Sequence, residues 1–238
     1  MQNVFAQSEF EIRCEWGAHG VARLAPISDV VIIVDVLSFS TSVEIATARG
    51  ALIFPFRFYD ETARTFAESR GAELADNRHS DARYTLSPQS LSNIPRGTRL
   101  VLPSPNGATL SLATGNTRTL AGCLRNARAV AHAAKQFGER IAVIPAGERW
   151  QDGATRFALE DWLGAGAILD ALDGNFSPEA RAAREAFRAL QAQLGSVLAQ
   201  CGSGKELLAK HLARDVELAS ALNVSDAVPQ LRDGAYTA

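Results

Sequence analysis

Lysine is nearly absent from this sequence. Lys135, Lys205 and Lys210 are the only three among 24 basic residues in a chain of 238. There is no basic surplus either, because 26 acidic residues leave a formal charge of −2. A nucleic-acid binder needs clustered cations to neutralise phosphates, so that class is excluded. Aromatic residues make up 7% of the chain, too few for a base-stacking platform. The cysteines Cys14, Cys123 and Cys201 are odd in number and widely spaced, and no C-x-x-C occurs. That excludes a disulfide framework and a zinc-ribbon site. No apolar run approaches the ~18 residues of a membrane helix. The N-terminal segment, with Glu9, Glu11 and Glu15, lacks the apolar core of a signal peptide. The expectation is a cytoplasmic protein with neither a membrane nor a nucleic-acid partner. No G-x-S-x-G, Walker loop or G-x-G-x-x-G is present. His19, His79, His132 and His211 share no metal-ligand spacing. The scarcity of lysine implies that a cationic contact to any anionic substrate comes from Arg or from a metal.

Against these absences stands a regular alternation of strand and helix patterns. Val30 to Val34 is a continuous β-branched and aliphatic run, which reads as a strand covered on both faces. Thr41 and Glu44 have capping-box spacing and predict a helix beginning there and ending near Gly50. Further strands are predicted over 51–56, 99–102, 117–121 and 140–144. Helices are expected over 60–70, over 108–114 and after Asn126 as far as Phe137. The segment 71–93 reads as a short strand with loops. Beyond residue 157 the pattern is helical over 157–172, 178–200 and 205–222. The expected fold is a three-layer α/β/α domain spanning 1–238. Its sheet is mostly parallel, with room for a mixed arrangement. The helix-rich portion, about 157–238, packs on it.

In open α/β sheets, ligands bind beyond the carboxyl ends of the strands. Asp35, Ser38, Ser40 and Thr41 follow the first strand. Ser104, Asn106 and Gly107 follow the third, Arg125 and Asn126 the fourth, and Glu148 and Arg149 the fifth. Loops opening into helices suit an anion, and isolated carboxylates suit a hard cation such as Mg²⁺. Together they point to a small phosphate ester bound through Mg²⁺. Each also has a structural reading: Asp35 as the cap of a turn, Ser104 to Gly107 as a turn, and Thr41 with Glu44 as the cap of a helix. Glu160 and Asp161 lead into an apolar helix, where burial is costly unless they are paired or metal-bound. Arg156 and Glu160 have the spacing of a pair across one helical turn. Gly164 to Ala167 allow another backbone to pack closely. Gly202 to Lys205 has the look of a phosphate loop but joins two helices, so it is set aside.

Several segments together resemble the 2-phosphosulfolactate phosphatase (ComB-like) family. Val34-Asp35-Val36-Leu37 with Ser40-Thr41 is similar to its D-V-L-R-A segment and the hydroxyl residues after it. Ser87-Pro88 resembles its N-S-P, and Ser104-Pro105-Asn106-Gly107 its T-T-N-G. Asn126 to Ala131, Ala146-Gly147-Glu148, Leu159-Glu160-Asp161, Ala165-Gly166-Ala167, Asp215 and Val228-Pro229 follow in the family's order. The resemblance implies Mg²⁺-dependent hydrolysis of 2-phosphosulfolactate to sulfolactate and phosphate, a step of coenzyme M biosynthesis. The catalytic acids would be Asp35, Glu148, Glu160 and Asp161, with Asp35 and Glu160 as metal ligands. Substrate contacts would come from Ser38, Ser40, Thr41, Ser104, Asn106, Gly107, Asn126 and Arg156. The chain departs from the pattern at Ser38, where the family has Arg, and at Leu86, where it has Asn. Arg149 or Arg156 is then the candidate replacement anchor. Two other readings stay open: a phosphatase for another 2-phospho-hydroxy acid, or a silent small-anion-binding protein on the same fold. The Ala-rich helices leave room for a homodimer.

Overall fold

A computed structural model describes residues 4–76 and 82–238. His79 and the centre of the 71–93 segment lie outside the described residues. The strands are β1 (Ile12–Cys14), β2 (Val30–Val34), β3 (Leu52–Phe56), β4 (Glu73–Leu74), β5 (Arg99–Pro103), β6 (Arg118–Gly122), β7 (Ile141–Pro145), β8 (Glu148–Arg149), β9 (Thr155–Arg156), β10 (Gln230–Arg232) and β11 (Ala235–Thr237). The helices are α1 (Gly17–Leu24), α2 (Phe39–Ala48), α3 (Glu61–Arg70), α4 (Pro88–Leu91), α5 (Gly107–Ala113), α6 (Ala127–Phe137), α7 (Leu159–Asp170), α8 (Pro178–Leu190), α9 (Leu194–Gln200), α10 (Gly202–Ala209) and α11 (Ala213–Ser220).

Among the described residues, nine strands form one sheet in the order β1-β7-β2-β6-β10-β11-β3-β5-β4. β2 lies parallel between β7 and β6, and all five of its residues are buried. Val30, Ile32 and Val34 point into one core with α6, α7 and α8. Val31 and Ile33 point to the opposite face, against Val21 and Leu24 of α1. The β-branched run is therefore central because both of its faces are apolar. The result is an α/β/α arrangement with a mostly parallel, mixed sheet.

The antiparallel part comes from the chain's end. The β10–β11 hairpin inserts between β6 and β3 and joins the two parallel halves. Its turn is Asp233-Gly234, both at positive φ (51° and 82°), the conformation of a two-residue hairpin turn. Tyr236 seals the seam: it is fully buried and donates its hydroxyl to Ser111 Oγ at 2.7 Å.

Two local expectations are corrected. The helix after β2 starts at Phe39 rather than at Thr41. Asp35 Oδ1 accepts from Phe39 N–H at 3.1 Å, so a carboxylate outside the helix serves its first turn. Thr41 lies inside the helix and donates to the Val36 carbonyl, and Glu44 pairs with Arg125. Arg156 and Glu160 do not pair across a turn. Arg156 sits in β9, and α7 begins only at Leu159, so helical spacing does not apply. The small residues of α7 do admit close packing. A Cβ on Gly166 would fall 2.3 Å from the Ala183 carbonyl oxygen of α8.

Candidate active site

Asp35 emerges from the carboxyl end of β2 with its side chain buried. Its Oδ2 accepts from Gly107 N–H at 2.8 Å, so one carboxylate ties the starts of α2 and α5 together. Gly107 must lack a side chain, since a Cβ there would sit 2.5 Å from the Phe39 ring and 2.8 Å from Asp35 Oδ2. Asp161 does a similar job nearby: Oδ1 accepts from Val36 N–H at 2.7 Å and Oδ2 from Gly147 N–H at 2.9 Å. It thereby joins the loops that leave β2 and β7. Glu160, also buried, accepts from the Cys201 thiol at 3.3 Å. Glu148, on β8, accepts from Asn106 Nδ2 at 2.9 Å.

These four carboxylates share one electrostatic environment. Burial, then the proximity of Asp35, pushes the Glu148 carboxyl up to about 7, against the opposing hydrogen bond from Asn106. Burial and the neighbouring Asp35 and Glu160 hold Asp161 well above the usual carboxylate range. Negative charge is thus concentrated at the strand ends, where a cation or a proton is favoured.

A cavity of about 240 Å³ opens here, lined by Asp35, Ser38, Ser104, Asn106 and Glu148 from the strand ends. Ser38 Oγ is buried without a hydrogen-bond partner in the protein. The opposite wall is a face of α10 with its cap, carrying Ser203, Glu206, Leu207 and Lys210. Sequence reasoning sets Gly202 to Lys205 aside and misses Glu206, Leu207 and Lys210, because a face at helical spacing carries no mark of a site.

The remaining predicted residues have structural partners. Ser40 Oγ donates to the Ile33 carbonyl and accepts from Asp35 N–H. Asn126 Oδ1 accepts from Cys123 N–H, and its Nδ2 donates to the Ala121 and Ala227 carbonyls. Arg156 is not among the residues lining the cavity; it donates to Ser203 Oγ at 3.1 Å with its guanidinium over the Trp150 ring. Among the described residues, the cationic side chain lining the cavity is Lys210. Arg149 lines a second cavity of about 390 Å³ on the far side of the Asn106–Glu148 pair, with Trp16 and His19. Among the described residues, no three His, Cys, Asp or Glu side chains group closely enough to enclose a metal. Two carboxylates, Asp35 and Glu148, face the same cavity with the Asn106 amide, an oxygen donor set that fits a hard cation otherwise held by water and phosphate. No helix among the described residues is long and apolar enough to cross a membrane.

The family model described as 2-phosphosulpholactate phosphatase matches residues 21–234. The 2-phosphosulfolactate phosphatase of Methanothermobacter thermautotrophicus is 30% identical over 213 residues, covering 87% of this chain and 88% of that protein. A probable 2-phosphosulfolactate phosphatase of Carboxydothermus hydrogenoformans is 30% identical over 212 residues, covering 84% and 85%. One from Thermotoga petrophila is 25% identical, covering 90% and 95%. Both the match over nearly the whole chain and the site at the strand ends lead to one assignment: the chain belongs to the 2-phosphosulfolactate phosphatase family, a family of phosphoric monoester hydrolases.

Proposed function

We propose that this protein is a Mg²⁺-dependent phosphatase that hydrolyses 2-phosphosulfolactate to sulfolactate and phosphate. The observation that carries this reading is the shared cavity, where Asp35 and Glu148 face Ser38, Ser104 and Asn106. Asp35 is the residue to hold the metal, together with phosphate oxygens and water, and Glu160 adds negative charge nearby. A bound Mg²⁺ would neutralise charge on the phosphoryl group and acidify a water.

The chain's own groups do the rest. Ser38 Oγ, with no protein partner, is a ready donor to a phosphate oxygen. Asn106 spends one amide hydrogen on Glu148, which fixes the carboxylate while Glu148 Oε1 takes the proton of the attacking water. The water oxygen bonds to phosphorus as the phosphorus–ester oxygen bond breaks. The proton held on Glu148 then passes to the departing alkoxide. Two backbone N–H donors leave Asp35 rigid, so little reorganisation accompanies the reaction.

The test is phosphate release from 2-phosphosulfolactate with MgCl₂ and with EDTA, for the wild type and Asp35→Asn. Release should require Mg²⁺ and fall at least about a hundredfold in the variant. Undiminished turnover by Asp35→Asn would remove Asp35 from the mechanism, and no release under any condition would sink the reading.

A further inference from the structure

We propose that Lys210, at the end of α10, is a specificity determinant that recognises a second acid group on the substrate, a sulfonate or carboxylate beside the phosphate ester. This rests on the phosphatase reading above and adds to it the part of the site that selects the substrate's tail.

The inference starts from charge. The cavity's other ionisable lining residues are Asp35, Glu148 and Glu206, all acids. An ester carrying two acid groups brings at least three negative charges into that space. One bound divalent cation at the Asp35 end offsets the phosphate but leaves the tail uncompensated. Lys210 is the one cation among the described residues that line the cavity. No arginine is among the described residues lining the cavity. The residue next to Leu37 is Ser38, and the Arg156 guanidinium is engaged with Ser203 and Trp150.

Geometry agrees. Ser203, Glu206, Leu207 and Lys210 stand at i, i+3, i+4 and i+7, so one helical stripe lines the cavity. Arg156 holds the start of this stripe through Ser203 Oγ, and Cys201 Sγ accepts from Gly204 N–H at its cap. Leu207 stands between Ser203 and Lys210, and with Leu37 and Leu86 it gives the cavity an apolar side suited to a short carbon chain. Lys210 is exposed and pairs one turn back with Glu206. A lysine ammonium has three donors, so it can bind a ligand oxygen while it keeps or exchanges that pair.

The experiment compares two phosphate esters: 2-phosphosulfolactate, and a monoester of similar size with no second acid group. Steady-state kinetics are measured for the wild type, Lys210→Gln and Lys210→Arg, with thermal melting to confirm that α10 stays folded. In Lys210→Gln, KM for the diacid should rise about tenfold more than KM for the simple ester, with kcat changed far less. Lys210→Arg should recover part of the preference. An unchanged ratio of kcat/KM between the two esters would overturn the proposal while leaving the phosphatase reading intact. A wild type inactive on both esters would overturn the reading, and the proposal with it.

Discussion

Glu148→Gln should stabilise the metal-free protein at alkaline pH and do little at acid pH. Burial and the charge of Asp35 raise the Glu148 carboxyl from its ordinary value of 4.5 to about 7. The folded state therefore holds a proton that the unfolded chain has released. Its stabilising contribution is complete below the unfolded value and is lost as pH rises through about 7. At ~1.36 kcal/mol per pKa unit, the difference amounts to about 3 kcal/mol across that window. Glutamine has the same shape, stays neutral and still offers an oxygen to Asn106 Nδ2. Its advantage over the wild type should thus grow by about 2.5 kcal/mol between about pH 5 and about pH 8.5. Urea unfolding in EDTA at the two pH values reads this directly, with m-values checked for constancy. A stability difference that is the same at both would refute the reasoning, because it would mean that Glu148 ionises in the folded protein as it does in water.

Three further outcomes are expected. Gly107→Ala should cost about 1–3 kcal/mol and most of the activity, because the new methyl group meets the Phe39 ring and Asp35 Oδ2; chemical denaturation and phosphate release check it, and full activity would contradict the packing. Arg125→Met should cost about 3–5 kcal/mol, since the Glu44 side chain, 1% exposed, loses its ionic partner; pairing it with Glu44→Met should return much of that loss in a double-mutant cycle. All three thiols should resist a disulfide exchange reagent at about pH 8 until the chain unfolds. Cys14 and Cys123 are fully buried, and burial beside Glu160 pushes the Cys201 thiol up to about 12; rapid labelling of the native protein would show a more open α9–α10 junction.

Much of this molecule was legible in one dimension. An apolar β-branched run can be covered on both faces only at the centre of a sheet, so Val30 to Val34 placed β2 and, at its end, Asp35. Alternation of strands with helices then required parallel neighbours. The small residues of α7 announced a close approach, which Ala183 of α8 supplies. The C-terminal hairpin was also written in Asp233-Gly234, but three-residue strands are too short for periodicity to show. No local pattern says that such a hairpin will enter the middle of a sheet.

Residue type and order alone could identify acids and amides near strand ends. They could not say what each carboxylate faces. Asp35 and Asp161 look alike in sequence, and each accepts two backbone N–H groups. Yet Asp35 lines the cavity, while Asp161 knits two loops together. That division depends on where chain segments more than a hundred residues apart come to rest. The same holds for Lys210: three lysines gave no reason to prefer one, and only the packing of α10 across the strand ends brings its ammonium to the cavity. Local chemistry follows from the order of residues, but the direction in which a charge points is set by tertiary packing, because desolvation and neighbouring charge depend on distance through space.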